Sequence, residues 1–291
     1  MTTIAIPTYA REDILVGTIH SVLRIAPPDV EILVIDQTLG HKPEVSNALA
    51  AFERDGRIRR YTFSPPSITH AMNIALEEAR TRYVLFLDDD IVPEDGLIEA
   101  HLAAHRRTGA ALVAGRIIQP WHKGVDYSSD ETFHFAGLNP AWIEEFMGGN
   151  FSVDREIALS LGGFDENFVR VAYNFEAEFA HRLRGAGHCI YFEPAATVHH
   201  LKVSSGGTRT FGEHLKTARA DHCVGAYYFI LVTWRGWGSF AAMLRRPIRS
   251  VSTRHHLRQP WWIPLTLIGE FRGLMWALLL ALRGPKYVKP K

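Results

Sequence analysis

Two cysteines in 291 residues, Cys189 and Cys223, are too few to staple a fold, and neither sits in a CxxC or CxxxH spacing suited to zinc or redox chemistry. That scarcity points to a reducing compartment. No GxGxxG follows the first strand-like run, which disfavours a dinucleotide-dependent dehydrogenase, and no glycine-rich basic loop is present to hold a triphosphate. Thr2–Ile6 is preceded by no basic region and apolar core of a secretion leader, so cytoplasmic residence is expected. The longest unbroken apolar run of the C-terminal third, Leu274 to Leu282, is shorter than the roughly 20 residues that cross a bilayer. No spanning helix is expected, and neither repeats nor low-complexity tracts are found.

Charge of one sign is also nearly missing from the C-terminal fifth. Residues 235–291 hold eleven Lys or Arg against a single acid, Glu270, a balance of +10. The first 234 residues hold 21 basic against 30 acidic residues, a balance of −9. A basic tail of this kind meets an anionic partner, and Trp261, Trp262, Phe271 and Trp276 among its arginines favour a lipid surface over nucleic acid. An interfacial amphipathic segment, at the inner face of the plasma membrane, is the expectation.

The chain is organised around Tyr83 to Pro93. Five consecutive apolar or aromatic residues, Tyr83 to Leu87, form a buried parallel strand, and Asp88-Asp89-Asp90 follow without a break. Three adjacent carboxylates repel one another unless a positive centre sits among them, and hard cations such as Mg²⁺ or Mn²⁺ pair carboxylate oxygens with substrate phosphates. A solvated acidic turn opening the next helix needs only one such acid.

Strands and helices alternate through the first half: strands at 2–6, 31–35, 58–63, 83–87 and 111–118, helices at 12–25, 43–54, 69–80 and 94–107. This is the pattern of an α/β fold with a mostly parallel, Rossmann-like sheet covered on both faces. Right-handed crossovers place the loops after Ile6, Ile35 and Leu87 along one edge, the expected site. Residues 119–149 have no clear period. A strand near Gly148 to Val153, a helix at 174–184 and a strand at 189–192 follow, then a long helix from Glu213 to Trp234. We divide the chain into a domain of residues 1–205 and a helical, basic extension of residues 206–291.

Taken together, these residues resemble family 2 glycosyltransferases of the GT-A fold over about Thr3 to Lys202. Ile4 to Arg11 is similar to the opening strand and nucleotide loop, Ile32 to Asp36 to the second strand, and Asp88-Asp89-Asp90 to the metal-binding DXD element. Gly162-Gly163-Phe164-Asp165-Glu166 resembles the acceptor-side turn, and Glu176 to Leu183 the helix carrying the catalytic acid. The resemblance implies an inverting hexosyl transfer from a UDP-, GDP- or dTDP-sugar to a hydroxyl on a glycan or lipid-linked acceptor. It implies nucleotide contacts from Pro7, Thr8, Tyr9, Arg11, Asp36, Asn73, Asp88 and Asp89, and a Mn²⁺ or Mg²⁺ site at Asp88, Asp90 and His200. Glu176, one methylene longer than the family's usual aspartate, takes the general-base position.

Each assignment has a plainer alternative. Glu176 favours its helix N-terminus through the dipole alone, Asp36 caps its own loop, and Glu178 pairs with Arg182 four residues on. Gly206-Gly207-Thr208-Arg209 reads either as a hinged loop whose Arg209 grips the diphosphate or as a linker. The rival function is an idle member of the same fold that binds a nucleotide-sugar or scaffolds an assembly.

Overall fold

The computed structural model describes residues 1–122 and 133–289. One mixed sheet runs through the molecule. Its first strands are β1 (Thr2–Thr8), β2 (Glu31–Asp36), β3 (Arg59–Thr62) and β4 (Tyr83–Leu87). They lie in the order β3-β2-β1-β4, all parallel, with Thr8 opposite Asp36 and Thr2 opposite Tyr83. The connecting helices are α1 (Glu12–Ile25), α2 (Pro43–Arg54) and α3 (Ile68–Glu78), the last capped by the Ser67 hydroxyl. Residue alternation along the strands divides the core. Ile4, Ile6, Val34, Leu85 and Leu87 face Leu15, Ile19, Val45 and Leu49 on one side. Ala5, Leu33, Ile35, Val84 and Phe86 face α3 and the later helices on the other.

Beyond β4 the pairing departs from the expected pattern. The three aspartates lead into a short strand, β5 (Ile91–Pro93), before α4 (Leu97–Thr108), so the helix starts later than Glu94. β6 (Leu112–Ile118), β7 (Ala141–Ile143), β8 (Asn150–Asp154) and β9 (Ile190–His200) complete the sheet, in the order β4-β8-β6-β9-β5, with β7 on β9. β8 is antiparallel to both β4 and β6, and β9 continues eight residues past Phe192 to pair antiparallel with β5. Of the aperiodic middle segment, residues 123–132 lie outside the described residues. The helices α5 (Arg155–Ser160) and α6 (Phe175–Gly185) flank the Gly162-Gly163 turn, and Asn174, in the left-handed region at φ 73°, precedes α6 rather than starting it.

Two expectations for the extension are corrected. Glu213 to Trp234 is not one helix: residues 214–216 form a 3-10 turn, and α7 spans only Val224–Val232. Glu213 and Lys216 pair locally instead, and Thr217 is extended. Nor is the apolar stretch confined to nine residues. After α8 (Trp237–Val251) and α9 (Arg254–Arg258), α10 (Ile263–Arg283) continues a turn begun at Pro260, giving 24 residues long and apolar enough by composition to cross a membrane, with a third of their most apolar 18-residue window buried. Counting unbroken runs missed it because Glu270 and Arg272 interrupt the apolar sequence without breaking the helix.

The extension packs on the sheet domain. Val224, Tyr227, Tyr228, Ala277 and Leu280 join the core face that holds Phe86 and Phe164. Gly273 lets α10 approach α7: a Cβ there would lie 2.3 Å from the Cys223 sulfur. Residues 284–288 then return to the Gly162–Asn167 turn, where Lys286 N donates to Asp165, Val288 N to the Gly162 carbonyl, and Tyr287 lies under the Arg182 guanidinium, 4.5 Å from its ring centre.

Candidate active site

The carboxyl ends of β1 and β4, with the loops around them, enclose a cavity of about 500 Å³. Pro7, Thr8, Tyr9 and Arg11 enter from β1 and its loop, and Asp88, Asp89 and Asp90 from β4. Glu176 enters from the first turn of α6, His200 from the end of β9, and Arg209 from the extension. Ten of the residues singled out in the sequence therefore share one site. Asp36 and Asn73 do not line it.

The triplet divides its work by position. Asp88 is half-exposed, Asp89 and Asp90 buried. Asp89 Oδ1 lies 3.0 Å from Arg11 Nε, while Arg11 also reaches Asp90 at 3.5 Å and donates to the Ser205 carbonyl at 2.5 Å. Burial pushes the Asp89 carboxyl up to about 7, although Arg11 opposes the shift. For Asp90 burial also acts upward, but His200 and Arg11 outweigh it and hold the group below the usual carboxylate range.

His200 arrives because β9 pairs with β5 in the register that sets it opposite Ile91. Its Nε2 is 3.0 Å from Asp90 Oδ1 and 3.5 Å from Asp88 Oδ2, and its Nδ1 donates to Gln119 Oε1 at 3.0 Å. Burial lowers the imidazole pKa, yet hydrogen bonds to Asp88 and Asp90 raise it to about 9. With Nδ1–H given to Gln119, the Nε2 lone pair and two carboxylates meet at one point. Such a meeting requires a positive centre, either a proton on Nε2 or a cation. Donor atoms of Asp88, Asp90 and His200 all lie within 4.8 Å of one another, a two-oxygen, one-nitrogen set that fits Mn²⁺ or Mg²⁺.

Glu176 projects into the same cavity beside the Gly148-Gly149 doublet. A Cβ on Gly148 would lie 3.0 Å from Glu176 Oε1, and one on Gly149 only 2.5 Å from Asp88 Oδ2, so both glycines make room for an acid. Part of Glu176 faces the cavity, but protein surrounds it. That desolvation, reinforced by Asp88, raises its pKa to about 7. Glu178 on the buried side pairs with Arg182 at 2.5 Å, as its spacing predicts.

Asp36 is fully buried in local contacts: its carboxylate accepts from Thr38 N and meets His41 Nε2 at 2.8 Å and Arg60 at 3.5 Å. The neighbouring Gln37 lines the cavity instead. Asn73 bridges the Gly162–Asn167 turn, donating to the Phe164 carbonyl at 2.8 Å and accepting from Phe164 N at 2.7 Å. Both departures have one cause, a complete set of partners within the protein. Gly148, Gly149 and Gln119 were not identified from the sequence as site residues. The glycine doublet before a strand was the available signal; Gln119 had none.

A second cavity of about 400 Å³ adjoins the first through the shared residues Glu145 and Ala177. His181 and Arg184 line it from α6, Phe229 from α7 and Thr233 just beyond its end, and Gly238, Ser239 and Ala242 from α8.

No curated protein matches the chain. Among solved structures, GalNAc-T7 with UDP, GalNAc and Mn²⁺ is similar at TM-score 0.66 and 14% identity, covering 96% of this chain and 56% of that one. This chain thus spans just over half of GalNAc-T7. The mannosyltransferase PcManGT from Pyrobaculum calidifontis, in complex with GDP-Man and Mn²⁺, is similar at 0.59 and 18% identity, covering 97% and 79% of the two chains. S. aureus TarS 1-349 with UDP-GlcNAc gives 0.56 and 12%, covering 79% and 64%. At these identities the likeness is one of fold, and that fold is GT-A. The model of glycosyl transferase family 2 matches residues 3–164, more than half of the chain, from Thr3 of β1 through the aspartate triplet and past α5, and the chain belongs to that family.

Proposed function

We propose that the chain transfers a hexosyl group from a nucleoside diphosphate donor to an acceptor hydroxyl with inversion at the anomeric carbon. The observation that carries this reading is the convergence, in one cavity, of the Asp88, Asp90 and His200 cluster with Glu176. Residues 1–205 supply the cluster and the carboxylate. Residues 206–291 complete the cavity through Arg209 and Phe211.

Asp88, Asp90 and His200 would hold Mn²⁺ or Mg²⁺, which when bound supplies Lewis-acid stabilisation to a departing diphosphate. Arg11 fixes Asp89 and Asp90 in place. Arg209, 3.9 Å from Asp90, is near enough to exchange that carboxylate for a donor phosphate. Pro7, Thr8, Tyr9 and Gln37 form the wall that receives the nucleoside. Glu176 takes the acceptor hydroxyl's proton as the new glycosidic bond forms and the bond to the diphosphate breaks. Its pKa near 7 suits that exchange at neutral pH. The acceptor, a glycan or glycolipid of a polysaccharide or cell-envelope pathway, enters through the second cavity, whose boundary with the first lies next to Glu176 at Ala177.

A panel of UDP-, GDP- and dTDP-sugars, scored for release of nucleoside diphosphate with and without Mn²⁺ or Mg²⁺, tests the reading. Metal-dependent turnover of one donor supports it. Donor binding with no turnover for any acceptor establishes the idle, donor-binding alternative instead.

A further inference from the structure

Two helices of the extension carry apolar stripes that no described residue covers. On α8, Trp237, Phe240, Leu244 and Ile248 recur three or four residues apart, and all are exposed, Trp237 by 84% and Ile248 by 65%. On α10, Leu265, Ile268, Phe271, Met275, Leu279 and Leu282 follow the same spacing and are exposed too. Spacing of this kind makes an apolar face, and these faces have no core to fill.

The opposite faces are in use. Gly238, Ser239 and Ala242 of α8 line the second cavity, and Arg246 lies 3.2 Å from the buried Glu270 of α10. Glu270 also accepts from the Tyr227 hydroxyl at 2.8 Å, while Gly269 and Gly273 seat α10 against residues 217–224. This glycine and acid seam holds α10 along the protein and leaves only its outer face for another phase.

Charge selects that phase. Arg245, Arg249, Arg254, Arg258 and Arg283 are exposed and have no carboxylate partner among the described residues. Arg245 and Arg249 border the α8 stripe directly, each one residue beyond Leu244 and Ile248. A second copy docked through the same face would oppose two sets of unpaired arginines, and nucleic acid would leave the stripes exposed. An anionic bilayer satisfies both features, with side chains inserted at the acyl boundary and guanidinium groups on headgroup phosphates.

We propose that the outer faces of α8 and α10 form a docking surface for an anionic phospholipid bilayer, seating the protein with the second cavity on the inner side of α8. This goes beyond the transfer reaction and stands whether or not the site turns over sugar. The test is co-sedimentation of the full chain with phosphatidylcholine vesicles and with vesicles enriched in phosphatidylglycerol. The expected result is binding to the anionic vesicles alone, weakened by added salt. In Trp237→Glu/Ile248→Glu it should fall by roughly tenfold or more, with thermal midpoint and donor binding unchanged. Arg245→Gln/Arg249→Gln should weaken binding and flatten its salt dependence. Equal binding to neutral and anionic vesicles, or none to either, overturns the proposal. So does a concentration-dependent dimer abolished by the same substitutions, or retention that resists alkaline carbonate, which would make α10 a spanning helix.

Discussion

The cavity at the carboxyl edge of the sheet and the outer surface of the extension invert each other. In the first, acids and their counter-ions are buried: Asp89, Asp90 and Arg11 are nearly closed to solvent at the end of an apolar strand. In the second, large apolar side chains are exposed, and Arg245, Arg249, Arg254, Arg258 and Arg283 have no carboxylate partner among the described residues. Each arrangement is costly for the isolated chain, one through desolvated charge and the other through hydrated hydrocarbon. Unfavourable placement of opposite kinds in two regions is what the two proposed contacts, one with a polar donor and one with an apolar, anionic phase, would each relieve.

The comparison breaks most sharply at the cation cluster. Asp88→Asn removes a half-exposed carboxylate without unpairing Arg11 and should lower metal-dependent turnover by about 10³-fold or more, matching the several kcal/mol of charge stabilisation lost. Vesicle binding should stay the same, because Asp88 belongs to neither α8 nor α10. Glu176→Gln should reduce kcat by roughly 10²- to 10⁴-fold with donor affinity nearly unchanged, measured by single-turnover assay and calorimetry. The sign of the pH dependence follows from the active form. In the proposed reaction the carboxylate is the base, so activity should fall as pH drops below about 7, where Glu176 takes up its proton, and the acid limb should vanish in the glutamine variant.

Gly149→Ala forces a Cβ to within 2.5 Å of Asp88 Oδ2, so the carboxylate must move. Weakening of Mn²⁺ affinity by roughly tenfold is expected in a metal titration, the size typical of lost support around a ligand. Gly273→Ala applies similar crowding to the other region, against Cys223, and should destabilise the protein by about 1–3 kcal/mol in urea unfolding. Asn73→Ala should act the same way, at about 1–3 kcal/mol through the unpaired Phe164 groups, with no change in donor affinity.

The parallel half of the sheet was legible because its strands are short apolar runs between helices with periodic apolar faces, a pattern that residues such as Val84 to Leu87 write plainly. The cluster was legible for a related reason: three acids after such a strand have few structural uses. What the sequence hid depends on pairing at a distance. β5 forms only because β9 supplies a partner, and nothing local distinguishes Ile91-Val92-Pro93 from the start of a helix. The roles of Asp36 and Asn73 were hidden likewise, since His41, Arg60 and the Phe164 backbone claim their polar atoms only once the chain has folded. In the extension, exposure was the missing quantity. Periodicity places Trp237, Phe240, Leu244 and Ile248 on one face, but not whether that face is covered.

The return of residues 284–288 to the Gly162–Asn167 turn has a practical corollary. Tyr287 lies under Arg182 on the helix that carries Glu176, and Lys286 holds Glu166. A shortened form stopping after β9 would lose that clasp and bare Phe168, whose ring now meets Tyr228. Trimming for soluble expression would therefore unsettle the helix that carries Glu176, while a charged substitution on the outer stripe of α8 would gain solubility and leave it undisturbed.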